Sequence, residues 1–486
     1  MTVRHVAVVG HGAAAAIAAT ALARAFGRGG LVVSWIETLD ETSPNTVLAG
    51  WPNLAALHRL LGVDTGALMR AAGGSFALGR QYVGFAGGDG EYLHSYGPVG
   101  RPVEGLPFIQ LWLKARAAGL PAGFADFARE AVAARNGRIR ALEGAGGRET
   151  AHGHHFDARG YGAALRAHAV REGVTITLDA DPRPSVADGR VTALHLSGGQ
   201  TITADLIVDA TAGASVLGVL SDGEPPDASV SSCNRLLTGS GRPFAPVPLY
   251  SRVAAHRAGW AALQPLQGRT GILVAFDDRL MDAREAASQA LLPFVGEPQG
   301  IALTPVRRGC PWVGNVVAIG DAAGVAEPLA VPELHRVQIA ITHLVALFPV
   351  RADAMPEAGI YNEEMAEWNA RLQDFEAAPY RLNTRHGEPF WDAARTRPVS
   401  PTLEARIDLF SARGMVAQYN QDSLTEDEWQ AVFLGLGLSP RAWDPQVDRV
   451  DEGLAMTNFR EQLAAIRTDV TAMDTHDAAL ARIMRR

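Results

Sequence analysis

At 486 residues, with 47% hydrophobic and 20% charged residues, the chain has the balance of a globular protein and enough length for two or three domain-sized units. A net charge of -8 argues against nucleic acid or an anionic membrane as partner, and no apolar run approaches the length that spans a bilayer. Two cysteines, Cys233 and Cys310, are too few for a disulfide framework or a zinc site; with no signal-peptide pattern at the start, they fit a reducing cytoplasm.

The opening "VRHVAVVG" is a short β-branched run that predicts a buried parallel strand, and "HGAAAAIAATALARAFG" predicts a helix closed by Gly27. "LVVSWIE" predicts a second strand ending at Glu37. Between the first strand and the helix, Gly10, Gly12 and Ala15 form a G-x-G-x-x-A turn. Gly10 permits the tight turn, and Gly12 lets the backbone approach a pyrophosphate. The helix N-terminus at Ala13 offers amide donors and positive dipole. Glu37 is placed to accept hydrogen bonds from an adenosine ribose. Strand, glycine turn, helix and acid in that order predict dinucleotide binding at the start of a doubly wound sheet.

Farther along, "ARGYGAALRAHAVREGV" predicts an amphipathic helix, and "TITLDA", "RVTALHLSGG" and "TITADLIVDATAG" predict strands. "GNVVAIGDAAG" predicts another buried strand, ending in a glycine-rich turn that carries Asp321. A plain helix N-cap is the alternative role for that aspartate. From about residue 355 the pattern is helical, without internal repeats or an obvious linker. The basic residues are nearly all arginine, and Lys114 is the one lysine.

An aspartate just after a buried strand, far downstream of the first glycine turn, resembles flavoprotein monooxygenases, where it holds the ribityl chain of FAD. The run "WVGNVVAIGDAAGVAEPLAVPELHRVQIAI" is more closely similar to the flavin-dependent tryptophan halogenase family, which carries G-x-x-x-G-F-x-E-P-L-E-S-T-G-I here. "TVLAGWPNLAALHRLLGV" resembles the family's strap loop, keeping Ala49, Pro52 and Asn53. "GGSFALGRQYVGF", "EYLHSYGPVG", "RAGWAALQPLQGRTGILVAFDD" and "DEWQAVFLGLGLSPRAWDPQVD" resemble further segments in order, so the likeness covers essentially the whole length. It implies an α/β fold: a Rossmann-type FAD-binding domain of the monooxygenase and halogenase kind, with an additional sheet and a C-terminal helical subdomain. The corresponding division is a core over 1–355 and a helical part over 356–486. It also implies FAD as cofactor, a separate flavin reductase supplying its reduced form, and a small aromatic or indole-like substrate. A halide and a second copy of the chain are open as partners.

In that family a lysine and a nearby glutamate direct hypohalous acid onto the substrate ring. At the lysine position, after Phe76, this chain has Ala77; at the glutamate position it has Ala330. The halide-contacting threonine and glycine correspond to Pro332, which has no N–H to donate, and Glu333, whose charge would repel a halide or face solvent. In the signature W-x-W-x-I-P, Trp260 and Pro265 remain while Ala262 and Gln264 stand at the second Trp and the Ile. Arg80, three residues past Ala77, is expected to face the opposite side of the strand. Lys114 is expected on a solvated helix face.

The resemblance assigns cofactor contacts to Gly10, Gly12, Ala13, Ala15, Glu37, Ala49, Asp321, Ala330, Val331 and Pro332. It assigns substrate contacts to Phe76, His94, Tyr96 and Trp51, with His94 and Tyr96 sandwiching an aromatic ring. His335 and Glu333 are the candidate catalytic groups still bearing chemistry. Three functions stay open: an FAD-dependent oxidoreductase acting without the lysine, as a monooxygenase; a halogenase guided by other residues; and an inactive flavin-binding pseudoenzyme.

Overall fold

The first strand forms at His5–Gly10, because its apolar, β-branched residues are buried on both faces of a parallel sheet. The computed structural model describes residues 2–39, 43, 45–88, 90–141, 148–213, 216–220, 232–304 and 306–485. Contacts divide the chain into two units. The first comprises Met1–Gly74, Phe156–Ser231 and Ala302–Ala370; the second comprises Ser75–His155, Ser232–Ile301 and Arg371–Arg486. This differs from the division expected at 355/356. Strands that pair lie far apart in sequence, so each unit interleaves three stretches, and the helical end belongs with residues 75–155 and 232–301 rather than standing alone.

The first unit is built on a six-stranded sheet in the order Trp312–Val313, Val316–Ala318, Leu206–Ala210, His5–Gly10, Val32–Glu37, Thr175–Leu178. All neighbours are parallel except the Trp312 edge strand. Helix Gly12–Phe26 follows the first strand, and helix Ala158–Arg171 packs on it. Gly10 pairs with both Glu37 and Ala210, so three strand ends finish level. A side chain at Gly10 is forbidden twice over: its φ is +138°, and a Cβ there would lie 2.3 Å from the Ala210 carbonyl oxygen.

The second unit holds a seven-stranded sheet in which Glu91–Ser95, Gly79–Val83, Tyr250–His256, Gly259–Pro265 and Thr270–Phe276 are successive neighbours. Strand Gly259–Pro265 is buried along its whole length. The short strand Ser75–Ala77 pairs instead with Gly153–Asp157, in a separate sheet. Helices Pro389–Thr396, Pro401–Arg413, Glu426–Gly435 and Glu452–Thr471 supply the expected helical end. No described helix is long and apolar enough to cross a membrane.

Local differences from expectation have clear causes. Gly27 caps the α-helix as expected but in a right-handed conformation that begins a 3-10 turn, and Gly30, at φ 88°, makes the left-handed stop. "TITADLIVDATAG" is two strands, Thr201–Ile202 and Leu206–Ala210, in different sheets. Asp321 is not a helix N-cap, since it sits in a 3-10 turn and the next α-helix starts only at Glu333.

Burial holds several histidines neutral. The rings of His58, His256 and His476 are lowered to about 4, and those of His155 and His335 to about 3, with burial the largest cause in each. The unfolded chain protonates these rings below about pH 6.5, whereas the folded chain resists until near pH 4. Stability is therefore full above that range and lost as pH falls through it, by at most about 1.4 kcal/mol per pH unit for each such histidine. Urea midpoints measured from pH 8 down to pH 4.5 are expected to hold steady to about pH 6.5 and then fall.

Candidate functional site

In the first unit, the glycine turn and the distant Asp321 come together. Gly12 adopts φ 68°, and the N-terminus of helix Gly12–Phe26 has neither a side-chain cap nor an acid in its first turn. Its opening amides and positive dipole are therefore available to an anion. His11 at the cap bonds Thr38 Oγ1 through Nδ1 at 3.2 Å. Its charge also reaches Asp321, partly offsetting the burial that raises that carboxyl. Gly320, at φ +58°, has no room for a larger residue without crowding Ala14, where a Cβ would come within 3.1 Å. Ala15 is fully buried in the helix core, as a third-position glycine substitute must be.

Glu37 lies level with Gly10, but its carboxylate is already engaged. Arg166, on helix Ala158–Arg171, donates from Nε to Oε1 at 2.9 Å and to Oε2 at 2.8 Å, and its Nη2 stands 2.7 Å from Oε2. A carboxylate has further lone pairs, so Glu37 can still accept a ribose hydroxyl while Arg166 fixes its direction. The motif spacing gave no sign of Arg166. Asp209 is a second residue that spacing alone did not single out. Fully buried, it accepts bonds from Thr211, Val216 and Leu217 and ties down the loop after its strand.

The segment before the Glu333 helix is packed rather than polar. Ala330, Val331 and Pro332 are all buried, and Pro332 is the N-cap of helix Glu333–Ala346. Glu333, the first residue of that helix, is exposed. Desolvation by the surrounding chain, reinforced by the nearby charge of Asp321, pushes its carboxyl up to about 8. Its exposure agrees with the solvent-facing alternative of the two that the sequence leaves open for it.

His335 is buried and neutral. Its Nδ1 accepts a hydrogen from Asn53 Nδ2 at 3.1 Å, and its ring packs 4.5 Å from Trp51 and 6.4 Å from Trp368. Gln338 Nε2 donates to the Asn53 carbonyl at 3.0 Å. These contacts clamp the loop after strand Val47–Gly50, which contains Ala49, to the Glu333 helix.

The second unit carries the remaining predicted residues. Ala77 pairs with Gly153 across its strand, and Phe76 is enclosed by His152, His154 and His476. Leu78 lies between strands of two different sheets, and the buried Arg80 beyond it acts electrostatically on His155. His155 in turn lies opposite Ser75 and bonds its Oγ at 3.3 Å. Lys114, partly exposed, pairs with Asp448 at 3.2 Å. His94 and Tyr96 do not form a slot, because their rings meet edge to face at 89° with centroids 6.0 Å apart. A third ring layered between them would need roughly 7 Å between parallel planes. Sequence reasoning also missed Glu428, whose Oε1 stands 3.7 Å from His94 Nε2.

These features suit FAD in the first unit: the uncapped helix end for a pyrophosphate, Glu37 for a ribose, and Asp321 for a hydroxylated chain. Raising pH through about 8 ionises Glu333 beside Asp321, and FAD binding is expected to weaken severalfold between pH 7 and 9. Glu333→Gln removes that dependence, as fluorescence titration with FAD at each pH would read.

A family model described as tryptophan halogenase matches residues 5–452. The tryptophan 7-halogenase KtzQ of Kutzneria sp. (strain 744) is 25% identical over 485 residues, covering 90% of each chain. The fold is similar to a flavin-dependent halogenase, BrvH, from Brevundimonas sp. BAL3 (TM-score 0.91, 29% identity, 99% of both chains). It is also similar to a flavin-dependent halogenase from Xanthomonas campestris (TM-score 0.93, 28% identity, 99% of both chains). With the family's motif order, its sheet architecture and a dinucleotide cradle all present, the chain belongs to the tryptophan halogenase family, whose cofactor is FAD.

Proposed function

We propose that this protein is an FAD-dependent oxygenase of the halogenase family that acts on a small aromatic substrate without lysine-directed halogenation. Reduced FAD, delivered by a separate flavin reductase, supplies the electrons that activate O2. One oxygen atom enters the substrate and the other leaves as water. The chain's own residues do the rest. Helix Gly12–Phe26 and Asp321 hold the cofactor, and Arg166 orients Glu37. Asn53, Trp51 and His335 fix the strap against the Glu333 helix. With its ring neutral and Nδ1 engaged, His335 serves as a positioning residue.

The observation that carries this reading is Ala77. It stands where the family places its lysine, and its cross-strand partner is Gly153, so neither strand offers an amine there. The one lysine of the chain, Lys114, is on helix Phe108–Ala117 and engaged with Asp448. Arg80 does not substitute as a nucleophile, because a guanidinium stays protonated. Ala330 removes the assisting carboxylate, and Pro332 removes a halide-binding N–H.

Turnover with a flavin reductase, NADH, FAD, O2 and excess bromide over a panel of indoles and phenols, read by mass spectrometry, tests the assignment. An oxygen-bearing product without the bromine isotope doublet is expected. A brominated product would instead support halogenation guided by another group. Bound flavin with neither product would leave a flavin-binding pseudoenzyme.

A further inference from the structure

The second unit holds a cavity of about 420 Å³, within the size range of small-molecule sites, and every residue lining it belongs to that unit. None of the residues assigned above to cofactor or substrate contacts lines it. Its apolar lining comes from Pro98, Phe127 and, on helix Glu452–Thr471, Ala465 and Ile466. Its charged lining sets Arg101, Arg129 and Arg148 against Glu130 and Asp469.

Most of these charges already hold one another. Arg129 opens helix Arg129–Arg135; its Nη2 donates to Glu130 Oε1 at 2.6 Å and its Nη1 to Asp469 Oδ2 at 3.4 Å. Arg140, buried and not itself part of the lining, donates to Asp469 Oδ1 at 2.7 Å. Two groups are left over. Glu130 is only 1% exposed, and its Oε1 accepts from both Arg129 and Ala151 N, the latter at 3.1 Å. Oε2 has no hydrogen-bond partner among the described residues. A buried carboxylate oxygen without a donor is costly, and a ligand hydroxyl or amine relieves that cost.

Arg148 is the second. Its carbonyl accepts from Arg129 Nη1 at 3.0 Å, while its own side chain has no partner among the described residues. The Arg129 guanidinium thus reaches from Arg148 to Glu130, which keeps the two unused groups near each other. Three arginines against two acids leave the lining net positive, so the complementary ligand is net negative. A zwitterionic amino acid does not meet that condition, and its ammonium would meet the Arg129 charge. A hydroxyl donates to Glu130 without that repulsion.

We propose that this cavity binds a small 2-hydroxy carboxylic acid with an apolar body. The carboxylate pairs with Arg148, the hydroxyl donates to Glu130 Oε2, and the body packs on Phe127 and Ile466. Such a ligand ties the Arg129 helix to helix Glu452–Thr471.

Isothermal titration calorimetry of the full-length, FAD-loaded protein with racemic 2-hydroxy-4-methylpentanoate tests the assignment. One molecule is expected to bind per chain. 4-Methylpentanoate, which lacks the hydroxyl, is expected to bind about tenfold more weakly. Arg148→Ala is expected to weaken both acids about tenfold. Glu130→Gln is expected to weaken the hydroxy acid alone, so that the two acids bind alike; a merely structural role for Glu130 moves both together. Absence of binding, equal affinity for the two acids in the unaltered protein, unchanged binding in Arg148→Ala, or tighter binding of leucine than of the hydroxy acid overturns the proposal. If Glu130→Gln does not fold, the pair of acids and Arg148→Ala decide alone. No turnover is involved, so the result stands apart from the oxygenase reading.

Discussion

Parallel pairing of His5–Gly10 with Val32–Glu37 on one side and Leu206–Ala210 on the other is the constraint on which the first unit depends. It finishes Gly10, Glu37 and Ala210 at one level. The carbonyl of Gly10 is then fixed by Trp35 Nε1 at 2.9 Å and by Thr38 N at 3.2 Å. Strand Val316–Ala318 joins in register beside Leu206–Ala210, so the turn carrying Asp321 emerges at the same edge as the glycine turn. Ligands of doubly wound sheets sit at that edge because strand ends and helix N-termini converge there. Nothing but glycine fits at position 10, so the close approach of the strands and the cofactor turn stand or fall together.

Farther along the first unit, the segment before helix Glu333–Ala346 is packed rather than polar. Ala330, Val331 and Pro332 are buried side chains that pack and offer no charged or hydrogen-bonding group, and Ala77 in the second unit is likewise buried. Glu333, which follows them, is exposed, and the surrounding chain and the charge of Asp321 raise its carboxyl. In the second unit a different set of polar groups persists around Arg80, His94 and Glu428, held by strand pairing and by the cap of helix Glu426–Gly435.

Much of the first unit was legible in the sequence, because its signals are local and periodic. A β-branched run, a glycine turn and an alanine-rich helix specify one another within about thirty residues. The Asp321 turn was legible for the same reason, although the α-helix after it starts later than the pattern suggests. What the sequence hid are contacts between distant elements. No spacing rule says that Arg166 grips Glu37, that Asn53 donates to His335, or that Glu428 faces His94. Simple alternation also does not carry through Leu78, because Ser75–Ala77 and Gly79–Val83 belong to different sheets. Linear segments also misled on domain boundaries, since each unit is assembled from three separated stretches.

A crystal grown with FAD and soaked in bromide, with data collected at the bromine absorption edge, tests the whole account most directly. The prediction is flavin density along Gly12, Glu37 and Asp321, with no anomalous peak beside Pro332 and Glu333. An ordered bromide at that position, or FAD bound away from the Gly12 turn, would contradict it.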